Sequence, residues 1–311
     1  MNKNLTLDSS PVQKILFNGL TFLVKRDDLL DKYFSGNKAR KLSYFLHHDF
    51  PKVKQVISYG SVQSNSLLSI AALANLKGWE LTFYVHNIPK WLHKKPIGNY
   101  AIALELGAKV IQWSKENKKN QFTSMNEFIQ FKEKKLSDDS LFIPEGGHSK
   151  TAEYGIERLA KEIEEYCDKE SIEQLFIMLP SGTGTTALLL NQFLRHSLID
   201  FSVVTCVCVG DKEYLQKQFS ELSDDHNDWP KILPSIKKYH FGKLYKEHYE
   251  LWLKLKKQTK IEFDLLYDPI GWRCLLDFIN SHPQGNILYI HQGGLLGNQS
   301  MVSRYKRLNR R

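Results

Sequence analysis

The sequence predicts an α/β fold with open, mostly parallel sheets, and three observations carry that expectation. Short apolar, β-branched or aromatic runs alternate along the chain with stretches of helical periodicity. Several runs, such as QLFIML (174–179) and SVVTCVCV (202–209), are continuously apolar, as strands covered on both faces are. Loops rich in Gly, hydroxyl and amide residues follow three of the runs, at the carboxyl ends where open parallel sheets place their ligands.

Taken in order, the expected strands are 20–25, 53–59, 81–85, 109–113, 141–143, 174–179, 202–209, DLLY (264–267) and 286–290. Helical patterns fall at 38–48, 65–77, 97–106, 121–135, 151–166, 184–197, 245–257 and 271–281. Gly78 and Gly107 stand where helix ends need a residue tolerant of left-handed geometry. Residues 221–243 are the least regular and read as a surface excursion. The length, 311 residues, allows one large or two ordinary domains. Residues 41–150 are expected to form a smaller, substrate-side domain, and residues 1–40 with 151–311 a larger, cofactor-binding one.

Composition narrows the function. Apolar residues are 42% and charged residues 25%, which excludes a disordered or collagen-like chain. Four cysteines (Cys167, Cys206, Cys208 and Cys274) lie in apolar settings without paired hooks, so free buried thiols are expected rather than zinc or a disulfide framework. The start, MNKNLTLDSS, lacks the apolar core of a secretory signal, and no apolar run approaches the ~20 residues of a membrane span. A cytoplasmic protein is expected. The formal charge of +9 comes from scattered basic runs, KEKK (132–135), KLKK (254–257) and the tail SRYKRLNRR, without the aromatic interleaving of a nucleic-acid platform. Such a balance would instead steer anionic small substrates.

Three loops and one lysine carry the chemistry. LPSGTGTT (179–186) joins a strand to a helix. Gly182 and Gly184 can turn backbone N–H groups inward, with Ser181, Thr183, Thr185 and Thr186 adding hydroxyls. It is a candidate phosphate cradle or an ordinary tight turn, and it is no Walker loop because no Lys follows the last Gly. YGSVQSNS (59–66) and HQGGLLGNQ (291–299) would face the same crevice. Lys38, in FSGNKARKL, opens a helix, where a cation opposes the helix dipole. A lysine near clustered donors, with an anion cradle elsewhere, suits covalent attachment of an anionic cofactor. No Ser–His–Asp order and no metal-ligand spacing stands out.

These segments resemble, in order, those of the 1-aminocyclopropane-1-carboxylate deaminase and D-cysteine desulfhydrase family of pyridoxal-phosphate enzymes, which has the tryptophan-synthase-β-like (type II) fold. VKRDDLL…SGNKARKL is similar to the family's lysine motif and SYGSVQSNS to its GxxQSN loop. FIPEGGHSKTAEYG resembles the lead into the long helix of the second domain, and LPSGTGTT the phosphate cup. LLYDPIGW resembles the DPVY segment, and ILYIHQGG the closing strand. The resemblance implies pyridoxal 5'-phosphate on Lys38, with Lys38 and Ser64 as catalytic residues. Asn65 would meet the ring's phenolate oxygen. Gln63, Ser64 and Asn65 would receive the substrate carboxylate. Ser181, Gly182, Thr183, Gly184 and Thr185 would hold the phosphate. Gln292, a neutral amide, would face the ring nitrogen and suit elimination of a good leaving group. A small amino-acid substrate, a homodimer and a lyase or hydrolase releasing ammonia and a 2-oxo acid follow from the same resemblance.

The departures shape the expected selectivity. The DPVY tyrosine falls on Gly271 and its successor on Trp272, which would narrow the substrate pocket. A second family tyrosine falls on Phe241. Both phenols tied to cyclopropane opening are thus missing, which weakens that activity relative to β-elimination or points to a cofactor-binding relative that has lost the chemistry. Tyr267 and Tyr245 are the nearest substitutes. His291 reads as structural and Glu145 as a hinge or helix-entry residue.

Overall fold

A computed structural model describes residues 5, 7–117, 121–235, 237–281 and 285–308. The N-terminal MNKN stretch and the last three residues of the basic tail lie outside them. Ten strands form two sheets: β1 (Val12–Phe17), β2 (Leu20–Arg26), β3 (Gln55–Gly60), β4 (Glu80–Val85), β5 (Lys109–Gln112), β6 (Ser140–Ile143), β7 (Gln174–Ser181), β8 (Asp200–Val207), β9 (Lys231–Leu233) and β10 (Asn286–His291). The larger sheet has the order β1-β2-β10-β7-β8-β9 and the smaller β5-β4-β3-β6. Among the described residues only the β1–β2 hairpin is antiparallel. It turns at Asn18 and Gly19, both at positive φ, as a tight two-residue hairpin requires.

The parallel strands are buried because helices cover both faces of the larger sheet. On one face Phe22, Val24, Met178, Trp272 and Tyr289 pack together; on the other, Ile156, Leu159, Ile177, Leu189 and Leu288 do. The helix Gly36–His47 sends Ala39, Leu42 and Phe45 into the core of the smaller sheet, against the helix Asn65–Lys77. Its other side is held by a buried ionic cluster. Arg40 bonds Asp27 (2.8 Å) and Glu162 (2.6 Å), and Lys25 completes the set on Glu162 (2.6 Å). Burial alone would raise the Asp27 carboxyl's pKa, but Arg40 and Lys25 outweigh it and hold it below the usual range. The lysine helix is therefore clamped between β2 and the long helix Glu153–Glu170.

DLLY is not a strand. The Asp264 carboxylate accepts the backbone N–H groups of Leu266 (2.8 Å) and Tyr267 (2.6 Å), a turn that competes with extended pairing and leads into the helix Asp268–Ser281. β1 and the three-residue β9, both at sheet edges, were not foreseen. All four cysteines are buried and free. Among the described residues no helix is long and apolar enough to cross a membrane.

Candidate active site

The lysine helix and the loops after β3, β6, β7 and β10 meet in a crevice between the two sheets, and glycines let them approach. A Cβ at Gly36 (φ +59°) would lie 1.7 Å from the Gln292 carbonyl oxygen, which accepts the Asn37 N–H at 3.1 Å. A Cβ at Gly294 (φ +88°) would lie 2.3 Å from the Asn65 amide nitrogen. Only glycine fits either place.

Gln292 ties three segments together. Its Oε1 accepts from Asn37 Nδ2 (2.8 Å), and its Nε2 donates to the Pro180 carbonyl at the end of β7 (2.6 Å). Next to it, Lys38 Nζ donates to Asn37 Oδ1 (3.2 Å). Burial lowers the Lys38 pKa to about 8, with Glu145 and Asp264 opposing that fall. An amine poised so near neutrality is suited to nucleophilic and proton-transfer work. Glu145 therefore belongs to the crevice and is more than a hinge. Its Oε1 lies 2.9 Å from the Cβ position of Gly60, and burial raises its carboxyl against the pull of Lys38.

The turn after β7 leads straight into a helix N-terminus. Gly184 (φ +73°) caps the helix Thr185–Leu194 without a side-chain bond, so the helix's first N–H groups face the crevice. A Cβ at Gly184 would lie 2.4 Å from Phe219, whereas one at Gly182 would find ordinary space, 3.5 Å from the Tyr267 hydroxyl. Thr183 and Thr185 hydroxyls lie 3.0 Å apart, and His148 Nδ1 reaches Thr185 Oγ1 at 2.8 Å. Ser181 departs from expectation. Thr205 Oγ1 already donates to the Leu179 carbonyl (2.8 Å), so the Ser181 hydroxyl donates to Thr205 (2.6 Å) and is turned into the sheet.

Lys41 escaped the sequence reading. It lies one turn after Lys38, is 2% exposed, and has no hydrogen-bond or ion-pair partner among the described residues. Its Nζ is 4.0 Å from the Cβ position of Gly146, which faces Thr183 at 3.3 Å. Burial, with Lys38 beside it, pushes its pKa well below the ordinary value. An unpartnered buried cation beside a helix N-terminus calls for a dianion, and this is what makes the cradle fit a phosphate group. The i, i+3 spacing from Lys38 was the signal in the sequence.

In the QSN loop, Ser64 Oγ caps the helix Asn65–Lys77 by accepting the Leu67 N–H (3.1 Å). The Ser64 N–H is bound to the Ser61 carbonyl (3.0 Å), and Asn65 and Ser66 open the helix, where backbone N–H groups have no partner within it. Gln63 is half-buried at the loop's turn, and its carbonyl accepts from Asn99 Nδ2 (3.0 Å). Asn65 Oδ1 accepts from the same nitrogen at 2.8 Å.

Trp272 does not line this crevice. It is fully buried in the core of the larger sheet, edge-on to Phe17, Phe22 and Phe263 and stacked on Tyr289 at 4.5 Å. The expectation that it narrows the pocket is overturned, because position 272 faces into the sheet from the first turn of its helix. Tyr267 does reach the crevice at Gly182, its ring 5.1 Å from that of half-exposed Phe241. Burial raises its pKa far above the usual phenol value and keeps it a proton donor. Tyr245 is elsewhere, its hydroxyl accepting the His240 N–H at 3.0 Å. His291 is sealed in, bonded to the Glu262 carbonyl (2.9 Å), as a structural residue would be.

No protein-family model matches the chain. It is 26% identical, over 96% of its length and 97% of the relative's, to a Thermotoga maritima protein with a provisional 1-aminocyclopropane-1-carboxylate deaminase name. It is 25% identical, over 90% of its length and 74% of the relative's, to the mitochondrial bifunctional D-cysteine desulfhydrase/1-aminocyclopropane-1-carboxylate deaminase of Arabidopsis thaliana. Among solved structures, an ACC deaminase homologue superposes with a TM-score of 0.73 at 23% identity, covering 96% of this chain and 95% of that one. A hydrogen sulfide-producing enzyme from Fusobacterium nucleatum does so at 0.65 and 14%, covering 94% and 95%. The resemblance read from the motifs, and the type II fold it implied, are borne out. The hydrolase class is not: the relatives are named as deaminases and desulfhydrases, enzymes of lyase type.

Proposed function

We propose that this chain is a cytoplasmic pyridoxal-phosphate enzyme that eliminates or deaminates a small amino acid, releasing ammonia and a 2-oxo acid. The observation that carries the reading is the pair of lysines one turn apart. Lys38, its pKa lowered by burial to about 8, feels the charges of Glu145 and Asp264, while Lys41 stands unpartnered among the described residues beside Gly146 and Thr183. One bifunctional ligand, carrying an electrophilic carbon and a dianion, satisfies both.

In this reading Lys38 is the attachment point, and Lys41, Thr183, Thr185 and the helix after Gly184 hold the phosphate. Asn65 and Gln292 would be the side chains that contact the cofactor's ring. When bound, the cofactor supplies the electron-withdrawing ring that makes an α-proton removable. The Asn65 and Ser66 N–H groups, with the Ser64 hydroxyl, receive the substrate carboxylate at the start of their helix. Lys38 takes the α-proton, and Tyr267 offers a protonated phenol on the opposite wall. Loss of activity is not favoured, because that phenol occupies the crevice although positions 241 and 271 have none.

β-Elimination needs only α-proton removal and a competent leaving group, whereas opening a cyclopropane also needs an acid or nucleophile at a ring carbon. General acid–base groups contribute about 10²–10⁴-fold. The test is a side-by-side assay of 2-oxo acid release from cysteine or β-chloroalanine, each enantiomer separately, and from 1-aminocyclopropane-1-carboxylate. The reading expects one enantiomer of a β-substituted amino acid to exceed the cyclopropane substrate. Efficient cyclopropane turnover, abolished by Tyr267→Phe, would instead assign the missing acid role to Tyr267. The homodimer is carried as part of the proposal and is checked by sedimentation.

A further inference from the structure

The sequence places Asp264 at the start of a strand, yet the fold buries its carboxylate, whose charge acts on Lys38. Oδ1 accepts two backbone N–H groups, from Leu266 and Tyr267, at 2.8 and 2.6 Å. Oδ2 lies 3.1 Å from the Cβ position of Gly294, the same point that Asn65 Nδ2 approaches at 2.3 Å. The Asn65 amide nitrogen and the Asp264 carboxylate thus stand together at Gly294. On its other side Asn65 Oδ1 is held by Asn99 Nδ2 at 2.8 Å. The amide thus cannot flip. Its NH₂ group is therefore held on the side of Gly294 and Asp264.

Resting on the cofactor reading above, we propose that Asp264 is a positioning residue with two effects: it draws the adjacent Asn65 NH₂ group into place for the cofactor ring, and it is a buried counter-charge for Lys38. Only a carboxylate serves both. It accepts on every side, whereas an asparagine has one accepting oxygen for either the two backbone N–H groups or Asn65, and no charge. The other charged groups in reach are consistent with this division. Lys38 also feels Glu145 across the crevice and Lys41 on its own helix. Asp264 also feels Asp268, whose Oδ2 accepts the Asp264 N–H at 2.7 Å and lies 3.9 Å from His291. Burial raises the Asp264 carboxyl to about 6, so it is ionised where Lys38 titrates.

The variant is Asp264→Asn in the full chain, read in two ways. In cofactor-free protein, the pH midpoint of Lys38 acetylation by acetic anhydride, followed by peptide mass spectrometry, reports the charge effect. It should fall by about one unit, the low end of what a neighbouring opposite charge produces. In the presence of pyridoxal phosphate, absorbance titration reports the aim of Asn65, and affinity should weaken about tenfold or more. A structural role alone would not move the Lys38 midpoint. Asn99→Leu frees the other end of the Asn65 amide. It should weaken cofactor affinity while leaving the midpoint in place, and it decides the matter should Asp264→Asn not fold. An unchanged midpoint with unchanged affinity in Asp264→Asn, or unchanged affinity in Asn99→Leu, overturns the proposal. Failure of wild-type protein to bind pyridoxal phosphate would overturn the cofactor reading instead, since the Lys38 midpoint is read without it.

Discussion

The hydroxyl of Tyr289 fills the space beside Gly271: a Cβ at position 271 would lie 2.6 Å from it and 3.2 Å from Pro180. The same hydroxyl donates to Asp268 at 2.7 Å, and the ring is wholly buried against Trp272. The tyrosine missing from position 271 and the tyrosine present at 289 are thus one packing solution. Gly271→Ala should destabilise the protein by about 1–3 kcal/mol through overpacking. Tyr289→Phe in the same chain should relieve the clash, so the two changes are non-additive in a double-mutant denaturation cycle. Additive losses would show that the hydroxyl does not constrain position 271.

The cup makes a sharper demand at Gly184 than at Gly182. Gly184→Ala forces a Cβ into Phe219 and Leu215 at positive φ, while Gly182→Ala meets only ordinary contacts. Gly184→Ala should therefore lower pyridoxal-phosphate affinity markedly and Gly182→Ala little, in equilibrium absorbance titrations. The sequence treats the two glycines alike, and the packing around them separates them.

Lys41→Met keeps the bulk of the side chain and removes the charge. Apoprotein stability should hold or rise, because a buried cation without a partner is lost. Phosphate competition against pyridoxal phosphate should weaken, since a charge-assisted bond of about 1.5–3 kcal/mol disappears. Measuring thermal stability and phosphate inhibition on the same samples separates the two effects. Unaltered phosphate inhibition would place the anion elsewhere.

Glu162→Gln leaves Lys25 and Arg40 short of their shared carboxylate. Breaking a buried pair in this way costs about 3–5 kcal/mol. Chemical denaturation should show that loss, and cofactor affinity should fall with it because Arg40 lies on the Lys38 helix. The pH dependence has a definite sign. Asp27 has a lowered pKa, so its contribution is present above the usual carboxylate range and is lost as the pH falls through its depressed value.

What the sequence disclosed depended on how local the cause was. The helix Asn65–Lys77 was legible to its ends because Ser64 caps one and Gly78, at φ +72°, closes the other. The cup and the QSN loop announced themselves through glycines and hydroxyls beside strand ends. Asp264 did not, because its turn looks like a β run until its carboxylate is seen holding Leu266 and Tyr267. Trp272 was misplaced because helix start and rotation, set by the Asp264–Asp268 turn, decide which face it takes. Lys41 shows in the sequence only its i, i+3 spacing from Lys38, and its place at the cup, like that of Asn99 at the QSN loop, comes from loops brought together across long stretches of chain.

The central claim is that Lys38 is the residue that takes the cofactor. The direct measurement is borohydride reduction of the full chain incubated with pyridoxal phosphate, followed by digestion and peptide mass spectrometry. The account predicts the reduced adduct on Lys38 alone, with Lys38→Ala folded by circular dichroism but without a visible chromophore. An adduct on Lys41 or another lysine, or a reducible chromophore that survives in Lys38→Ala, would contradict it.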